Sequence, residues 1–143
     1  MRLRAGDILS GMREQTSCDF SALAVIDGKE RCISWKWASG NLNDRYLNIR
    51  VRHGQGIEGE IIKVGRGMTW DKMDSRKANV HANYSIWLTE RLESAYAVPV
   101  WIGKEMKGIL LIGDRSPRIY EVNQRETVDR VATELADSME DLI

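Results

Sequence analysis

Apolar residues recur along the chain at two spacings, and the change between them divides the chain into elements. The last segment predicts a helix, because its apolar residues recur every three or four positions: Val128, Val131, Ala132, Leu135, Met139 and Leu142. Asn123, followed three residues later by Glu126, is typical of a capping box at the start of that helix. A weaker stripe predicts a helix near the N-terminus, with Leu3, Ile8, Leu9 and Met12 along one side.

The segments between these helices follow the period of β-strands. FSALAVID is apolar on both faces, as a central strand would be. CISWKWAS alternates, which predicts that Ile33, Trp35 and Trp37 share one face. RYLNIRVR alternates too, and we expect Leu47, Ile49 and Val51 to point inward. GMTW predicts a short strand, ESAYAVPVWI and KGILLIGDR predict two strands joined at Gly103, and the polar region from Asp71 to Tyr84 predicts a loop.

The glycine-rich stretch GQGIEG, from Gly54 to Gly59, matches the spacing G-x-G-x-x-G of dinucleotide-binding turns. In such folds the glycines follow the first strand and a buried parallel strand comes next, ending at an acidic residue about 20 positions on. Here they follow the third predicted strand, which alternates like an antiparallel one. We therefore interpret the stretch as a strand-to-helix turn. The helix that follows, ending near Gly65, could accept a small anion at its N-terminal N–H groups.

Composition narrows the possible functions. The 143 residues suit one domain spanning 1–143, and 21 basic residues balance 21 acidic ones, which argues against nucleic-acid or anionic-membrane binding. No apolar run is long enough to span a bilayer, and no secretion signal is visible, so we expect a cytoplasmic protein. Cys18 and Cys32 form no disulfide framework, and with His53 and His81 they show no metal-ligand spacing.

The order of elements, together with GQGIEGEIIKVGRGM and the strand pair AVPVW and KGILLIG, resembles a GAF domain over nearly the whole chain. The resemblance implies an α+β, profilin/PAS-like fold. Its antiparallel sheet would carry the N- and C-terminal helices on one face and a ligand pocket on the other. GAF domains bind cyclic nucleotides, tetrapyrroles, haem, amino acids or small anions, or have no known ligand, so the fold does not name the ligand.

Two further segments, ISWKWASGNLNDRYLNIRVRHGQGIEG and YSIWLTERLESAYAVPVW, are similar to the stand-alone GAF-domain nitrate receptors of the NreA type. That resemblance implies a small nitrate cage and control of a sensor histidine kinase that turns on nitrate respiration. Carried over by position, the cage would involve Trp35, Ile57, Glu58, and Tyr84, Ser85 and Ile86. None of these six is basic. Glu58 replaces an expected small apolar residue, and Ser85 an expected proline. A carboxylate at position 58 would repel an anion unless it pointed to solvent.

Three alternatives remain open from the sequence. The chain could be a GAF sensor of another small molecule. It could be a dimerisation or interaction module, forming a homodimer through the terminal helices. It could also reduce free methionine sulfoxide, which needs a catalytic and a resolving cysteine in loops over the pocket. Because Cys18 precedes the first strand and Cys32 opens the second, we expect no enzymatic activity and no cofactor.

Overall fold

The computed structural model describes residues 5–72 and 84–139, which form α-helices and β-strands. The helices are α1 (Ala5–Thr16), α2 (Gly56–Val64), α3 (Ser85–Thr89) and α4 (Val122–Ala136). The strands are β1 (Phe20–Asp27), β2 (Cys32–Ser39), β3 (Arg50–Arg52), β4 (Met68–Asp71), β5 (Ser94–Ile102) and β6 (Glu105–Asp114). Leu3, Leu142, His81 and most of the expected loop from Asp71 to Tyr84 lie outside the described residues.

The described strands form one antiparallel sheet in the order β3-β2-β1-β6-β5-β4. Each face of the sheet carries its own apolar cluster. On one face, α1 and α4 bury Leu9, Met12, Val128 and Leu135 against Leu110 and its neighbours. We call this side the terminal-helix face. On the other, which we call the α2 face, Ile57, Ile61 and Ile86 pack on the sheet. The expected GAF-like architecture, with both terminal helices on one face, is confirmed.

Strand β2 contains an irregularity that changes the direction of one tryptophan. Trp35 pairs with Ala24 and Trp37 pairs with Leu23, so the exposed Lys36 between them has no partner on β1. Such a bulge reverses the alternation of side chains. Trp35 is therefore fully buried on the α2 face, whereas Trp37 packs on the terminal-helix face. The prediction that Ile33, Trp35 and Trp37 share one face is wrong for Trp37.

The segment RYLNIRVR is a strand only in its second half. Residues Arg45–Asn48 form a 3₁₀ turn, in which Tyr46 is buried and Leu47 is 51% exposed. The Asn43 side-chain oxygen accepts the Arg45 main-chain N–H at 2.9 Å, and this local bond favours a turn over a strand. The inward direction predicted for Leu47 is wrong, while Ile49 and Val51 are buried as predicted.

The C-terminal helix begins two residues earlier than the sequence suggested. Its capping box consists of Glu121 and Gln124, not Asn123 and Glu126, and the Glu121 main-chain N–H donates to Gln124 Oε1 at 2.8 Å. The predicted stripe is otherwise confirmed, since Val128, Val131, Ala132, Leu135 and Met139 are buried.

Candidate functional site

The three glycines of GQGIEG shape the turn between β3 and α2. Gly54 and Gly56 have φ angles of +91° and +68°, a region that side chains rarely adopt. Gly59 lies in the first turns of α2 and packs directly on the turn, because a Cβ there would stand 2.5 Å from the Gly54 carbonyl carbon. The interpretation as a tight strand-to-helix turn is confirmed, and the glycine spacing has a structural cause that involves no dinucleotide.

Glu58 occupies the first turn of α2 and is completely buried. Its Oε2 accepts the indole N–H of Trp35 at 3.3 Å, across the gap between α2 and β2. Its Oε1 has no hydrogen-bond partner among the described residues, and a Cβ on Gly56 would lie 2.7 Å from this oxygen. The carboxyl group therefore points inward and folds back toward the helix N-terminus. It does not point to solvent. An ionised Glu58 would therefore repel an anion bound beside it.

Burial changes the acidity of this carboxyl group. Desolvation raises the pKa of Glu58 to about 6, while the proximity of its own main-chain N–H and the hydrogen bond from Trp35 act in the opposite direction. A group with this pKa gains or loses a proton close to neutral pH. The ionised Glu58 side chain is thus an anion within the first turn of α2, and protonation can neutralise it.

A second carboxylate on α2 ties the helix to β4 and to the start of α3. Glu60 Oε2 accepts the Trp70 indole N–H at 2.7 Å and the Tyr84 hydroxyl at 2.5 Å. Desolvation, and then this bond to Glu60, raise the pKa of the Tyr84 phenol. Sequence reasoning missed Glu60 and Trp70. Their signal was a second glutamate in the helix GIEGEIIKV and a tryptophan within the four-residue strand MTWD.

Most of the predicted cage residues come together. Trp35, Ile57, Tyr84 and Ile86 belong to one buried cluster on the α2 face, beside Glu58. Ser85, the first residue of α3, is exposed, so its side chain does not join that cluster. The structure thus brings together segments from β2, α2, β4 and α3, which contribute two indole donors, Trp35 and Trp70, and two carboxylates, Glu58 and Glu60.

Cavities lined by described residues also occur away from this cluster. One of about 420 Å³ lies between β5 and α4 and includes Trp101 and Asp129. Another of about 330 Å³ is lined by Glu30, Arg31, Arg52 and His53. Neither includes Trp35 or Glu58.

The two cysteines lie apart and both are buried. Cys18 packs on the terminal-helix face, its thiol lies 3.4 Å from the Phe20 carbonyl oxygen, and burial raises the pKa of the thiol. Cys32 is held at the start of β2, where Arg50 approaches its sulfur at 3.2 Å. Neither thiol is at the α2 N-terminus. Residues 5–72 and 84–139 contain no group of three His, Cys, Asp or Glu side chains suited to a metal ion.

The helices within the described part of the chain are too short or too polar to cross a membrane.

No protein-family model matches the chain, and no curated protein sequence matches it. Among solved structures, a Staphylococcus aureus NreA protein mutated in its nitrate binding site is 31% identical, with a TM-score of 0.71 over 81% of this chain and 89% of that chain.

Two more distant structures show the fold alone. The GAF domain of a phosphoenolpyruvate-protein phosphotransferase from Coxiella burnetii is 17% identical, with a TM-score of 0.79 over 95% of this chain and 80% of that one. Free methionine-R-sulfoxide reductase from Neisseria meningitidis, in complex with its substrate, is 15% identical, with a TM-score of 0.75 over 94% and 75%.

Proposed function

Because the chain belongs to the GAF-domain family of the staphylococcal NreA protein, we propose that it is a one-domain cytoplasmic sensor of a small anion, with nitrate as the first candidate. The observation that carries the proposal is the buried cluster of Trp35, Ile57, Tyr84 and Ile86 beside the N-terminus of α2. These are four of the six positions that the family resemblance assigns to the cage.

The chemistry of this corner suits a weakly hydrated monovalent anion. The first N–H groups of α2 have no partner within the helix, and the positive end of the helix dipole lies there. Apart from Glu58 and Glu60, the buried side chains around this corner are aromatic or aliphatic, and none of the candidate residues is a lysine or arginine. Such a site gains little from a doubly charged anion, whose desolvation costs more. Selectivity for nitrate over sulfate and phosphate follows.

A thermal-shift titration with nitrate, nitrite, iodide, sulfate, phosphate and cyclic nucleotides tests the proposal. It should be run on both sides of the Glu58 pKa of about 6. A ligand at about a hundredfold excess over its Kd stabilises the folded state by about 2.7 kcal/mol. We expect a clear shift with nitrate and little with sulfate. Equal shifts with the two anions would indicate an unspecific surface site.

Two tryptophan variants sharpen this test. Trp35→Phe removes the indole N–H beside Glu58, and we expect it to weaken or abolish the nitrate shift. Trp37→Phe is the matched control, because this tryptophan lies two residues away on the opposite face. Loss of the nitrate response in both variants would point to general destabilisation rather than to a site at Trp35.

We further propose that a sensor histidine kinase controlling nitrate respiration reads the ligand state, with α1 and α4 as the surface for that partner or for a homodimer. These helices contact each other, for example through Arg130 Nη2 and Gln15 Oε1 at 2.8 Å, and the outer side of α4 is polar and exposed. Autophosphorylation of a purified sensor histidine kinase from the same organism, measured with and without the protein and nitrate, tests the partnership. An unchanged rate in all four combinations would contradict it.

One observation favours a second candidate, a GAF interaction module without a ligand. The carboxylate of Glu58 itself supplies an anion in the first turn of α2, so the positive end of the helix dipole has a negative group beside it without any bound ion. This candidate predicts that no ligand shifts the melting temperature at any pH, while light scattering shows a dimer. A monomer with a nitrate-dependent melting temperature would exclude it.

A further inference from the structure

We propose that Glu58 determines the specificity of the site by linking anion binding to proton uptake: nitrate enters together with one proton, which is held on Oε1 of Glu58. This inference rests on the proposed function and deepens it. The carboxylate acts as an internal anion that competes with nitrate for the first turn of α2 when it is ionised, and as a hydrogen-bond donor to nitrate when it is protonated.

The two oxygens of the carboxyl group are differently engaged, and this asymmetry assigns the proton. Oε2 holds the Trp35 indole N–H at 3.3 Å, whereas Oε1 is buried without a partner among the described residues. A proton on Oε1 breaks no existing hydrogen bond and gives that oxygen an O–H donor. One covalent O–H bond forms with a proton from solvent, and no covalent bond to nitrate forms or breaks. The net charge at the site stays at −1, because one proton and one nitrate enter together.

An ionised Glu58 would stand next to the bound anion in a buried environment. Like charges at close range in a low dielectric repel strongly, so binding without the proton is disfavoured. Neutralisation removes the repulsion and leaves the α2 N–H groups to the incoming anion. The raised pKa of Glu58 fits this picture, because protonation near neutral pH costs little.

Other titratable groups around α2 are already engaged or lie at a distance. On α2 and at the start of α3 the neighbours are Glu60 and Tyr84, which are hydrogen-bonded to each other, and β2 contributes the neutral Trp35.

The remaining titratable groups of the strands that pack on α2 have other partners or are exposed to solvent. Arg50 reaches Cys32, Arg52 is exposed, Glu105 and Lys107 pair together, Asp114 bonds Arg118 and Tyr120, and Tyr96 bonds Asp129. Of the groups named in this comparison, Glu58 alone is completely buried in the first turn of α2, so it is the one placed to carry the linkage.

Isothermal titration of the intact chain with sodium nitrate, in two buffers of different ionisation enthalpy, measures the protons taken up on binding. Above the Glu58 pKa we expect an uptake of about one proton per nitrate, with Kd rising about tenfold for each pH unit. Below the pKa the uptake and the pH dependence should both vanish. This measurement needs no variant, so it does not depend on whether a substitution folds.

Glu58→Gln supplies the variant arm. Glutamine offers a carbonyl oxygen to Trp35 and an N–H group in place of the protonated Oε1, so the neutral form is fixed. We expect its nitrate Kd to be independent of pH and to match the wild-type value at acid pH. Glu126→Gln, on the exposed side of α4, is the matched control and should keep the wild-type pH profile.

The two proposals fail in different ways. Nitrate binding by the wild-type chain with one Kd across the pH range and no proton uptake overturns the proton linkage while the nitrate function stands. No nitrate binding at any pH, by the wild-type chain or by Glu58→Gln, overturns both.

Discussion

Because Glu58 is buried, its ionisation makes the stability of the folded chain depend on pH. Its pKa in the folded chain, about 6, lies above the ordinary value of 4.5. Between those values the folded chain binds more protons than the unfolded chain, so the free energy of unfolding falls as the pH rises and stays reduced above about 6. A neutral side chain at this position would avoid that loss.

Glu58→Gln should therefore stabilise the protein at neutral pH. One pKa unit corresponds to about 1.4 kcal/mol, so the shift predicts a gain of about 2 kcal/mol above the folded-state pKa and almost none below the ordinary one. Urea denaturation of the wild-type chain and of the variant, above the folded-state pKa and below the ordinary pKa, measures this gain in the free energy of unfolding. An equal gain at both would mean that the effect comes from packing rather than from ionisation.

Substitution of Gly59 tests how tightly α2 packs on the turn between β3 and α2. Gly59→Ala would place a Cβ 2.5 Å from the Gly54 carbonyl carbon, which is backbone and cannot rotate away. Forcing an extra carbon into such a contact typically costs about 1–3 kcal/mol. Gly11→Ala is the control, because α1 leaves open space at that position and alanine should stabilise the helix by about 0.5–1 kcal/mol. A melting temperature unaffected by Gly59→Ala would refute the packing role.

Part of the candidate site could be predicted from the sequence. Trp35, Ile57, Tyr84 and Ile86, which the resemblance assigns to the cage, lie in one buried cluster, because their positions follow from the order of the elements. The inward direction of Glu58 was not accessible, since it depends on a hydrogen bond to an indole 23 residues away in the chain. From the sequence alone a glutamate is expected to face solvent because it is polar. The hydrogen-bond donor that accompanies its burial, the Trp35 indole N–H, is brought close only when the chain folds.

At the scale of elements, local alternation predicts strands well and their irregularities poorly. The positions of β1, β5 and β6 agree with their apolar patterns, and so does the antiparallel pairing. The bulge at Lys36 is invisible in CISWKWAS, because it is imposed by the register with β1. The inward direction of Leu47 was predicted wrongly for a similar reason. The Asn43 side-chain oxygen accepts the Arg45 main-chain N–H, and residues Arg45–Asn48 form a 3₁₀ turn rather than the first half of the strand.

The bulge makes a deletion experiment informative. Removing Lys36 leaves Trp35 and Trp37 adjacent and therefore on opposite faces, where they already lie. We expect the deletion to fold with a modestly lowered melting temperature. Deleting Ser34 instead moves Ile33 and Cys32 to the wrong faces, because a one-residue slip reverses every side chain beyond it. That variant should lose cooperative unfolding. Similar behaviour of the two deletions would contradict the assigned bulge.

At the scale of the whole molecule, a buried ion pair joins parts of the chain that are distant in sequence. Glu90, directly after α3, is completely buried, and its Oε1 accepts Arg115 Nη2 at 2.6 Å and the Leu42 main-chain N–H at 2.9 Å. Arg115 follows β6, donates through Nε to the Glu90 carbonyl oxygen, and lies 5.9 Å from the Phe20 ring centroid. The pair thus anchors the helix that carries Ile86 to the end of the central sheet.

Arg115→Met should be strongly destabilising, because it leaves the Glu90 carboxylate buried without its countercharge. Removing one partner of a buried pair typically costs about 3–5 kcal/mol. The double variant Arg115→Met with Glu90→Gln should recover much of that loss, since the neutral amide still accepts the Leu42 N–H and no buried charge remains. Lys107→Met, in the exposed pair with Glu105, is the surface control and should cost less than about 1 kcal/mol. Urea denaturation of all four proteins decides the matter. If Arg115→Met costs no more than Lys107→Met, the pair does not hold α3 to the sheet, and the position of Ile86 must then rest on apolar packing alone.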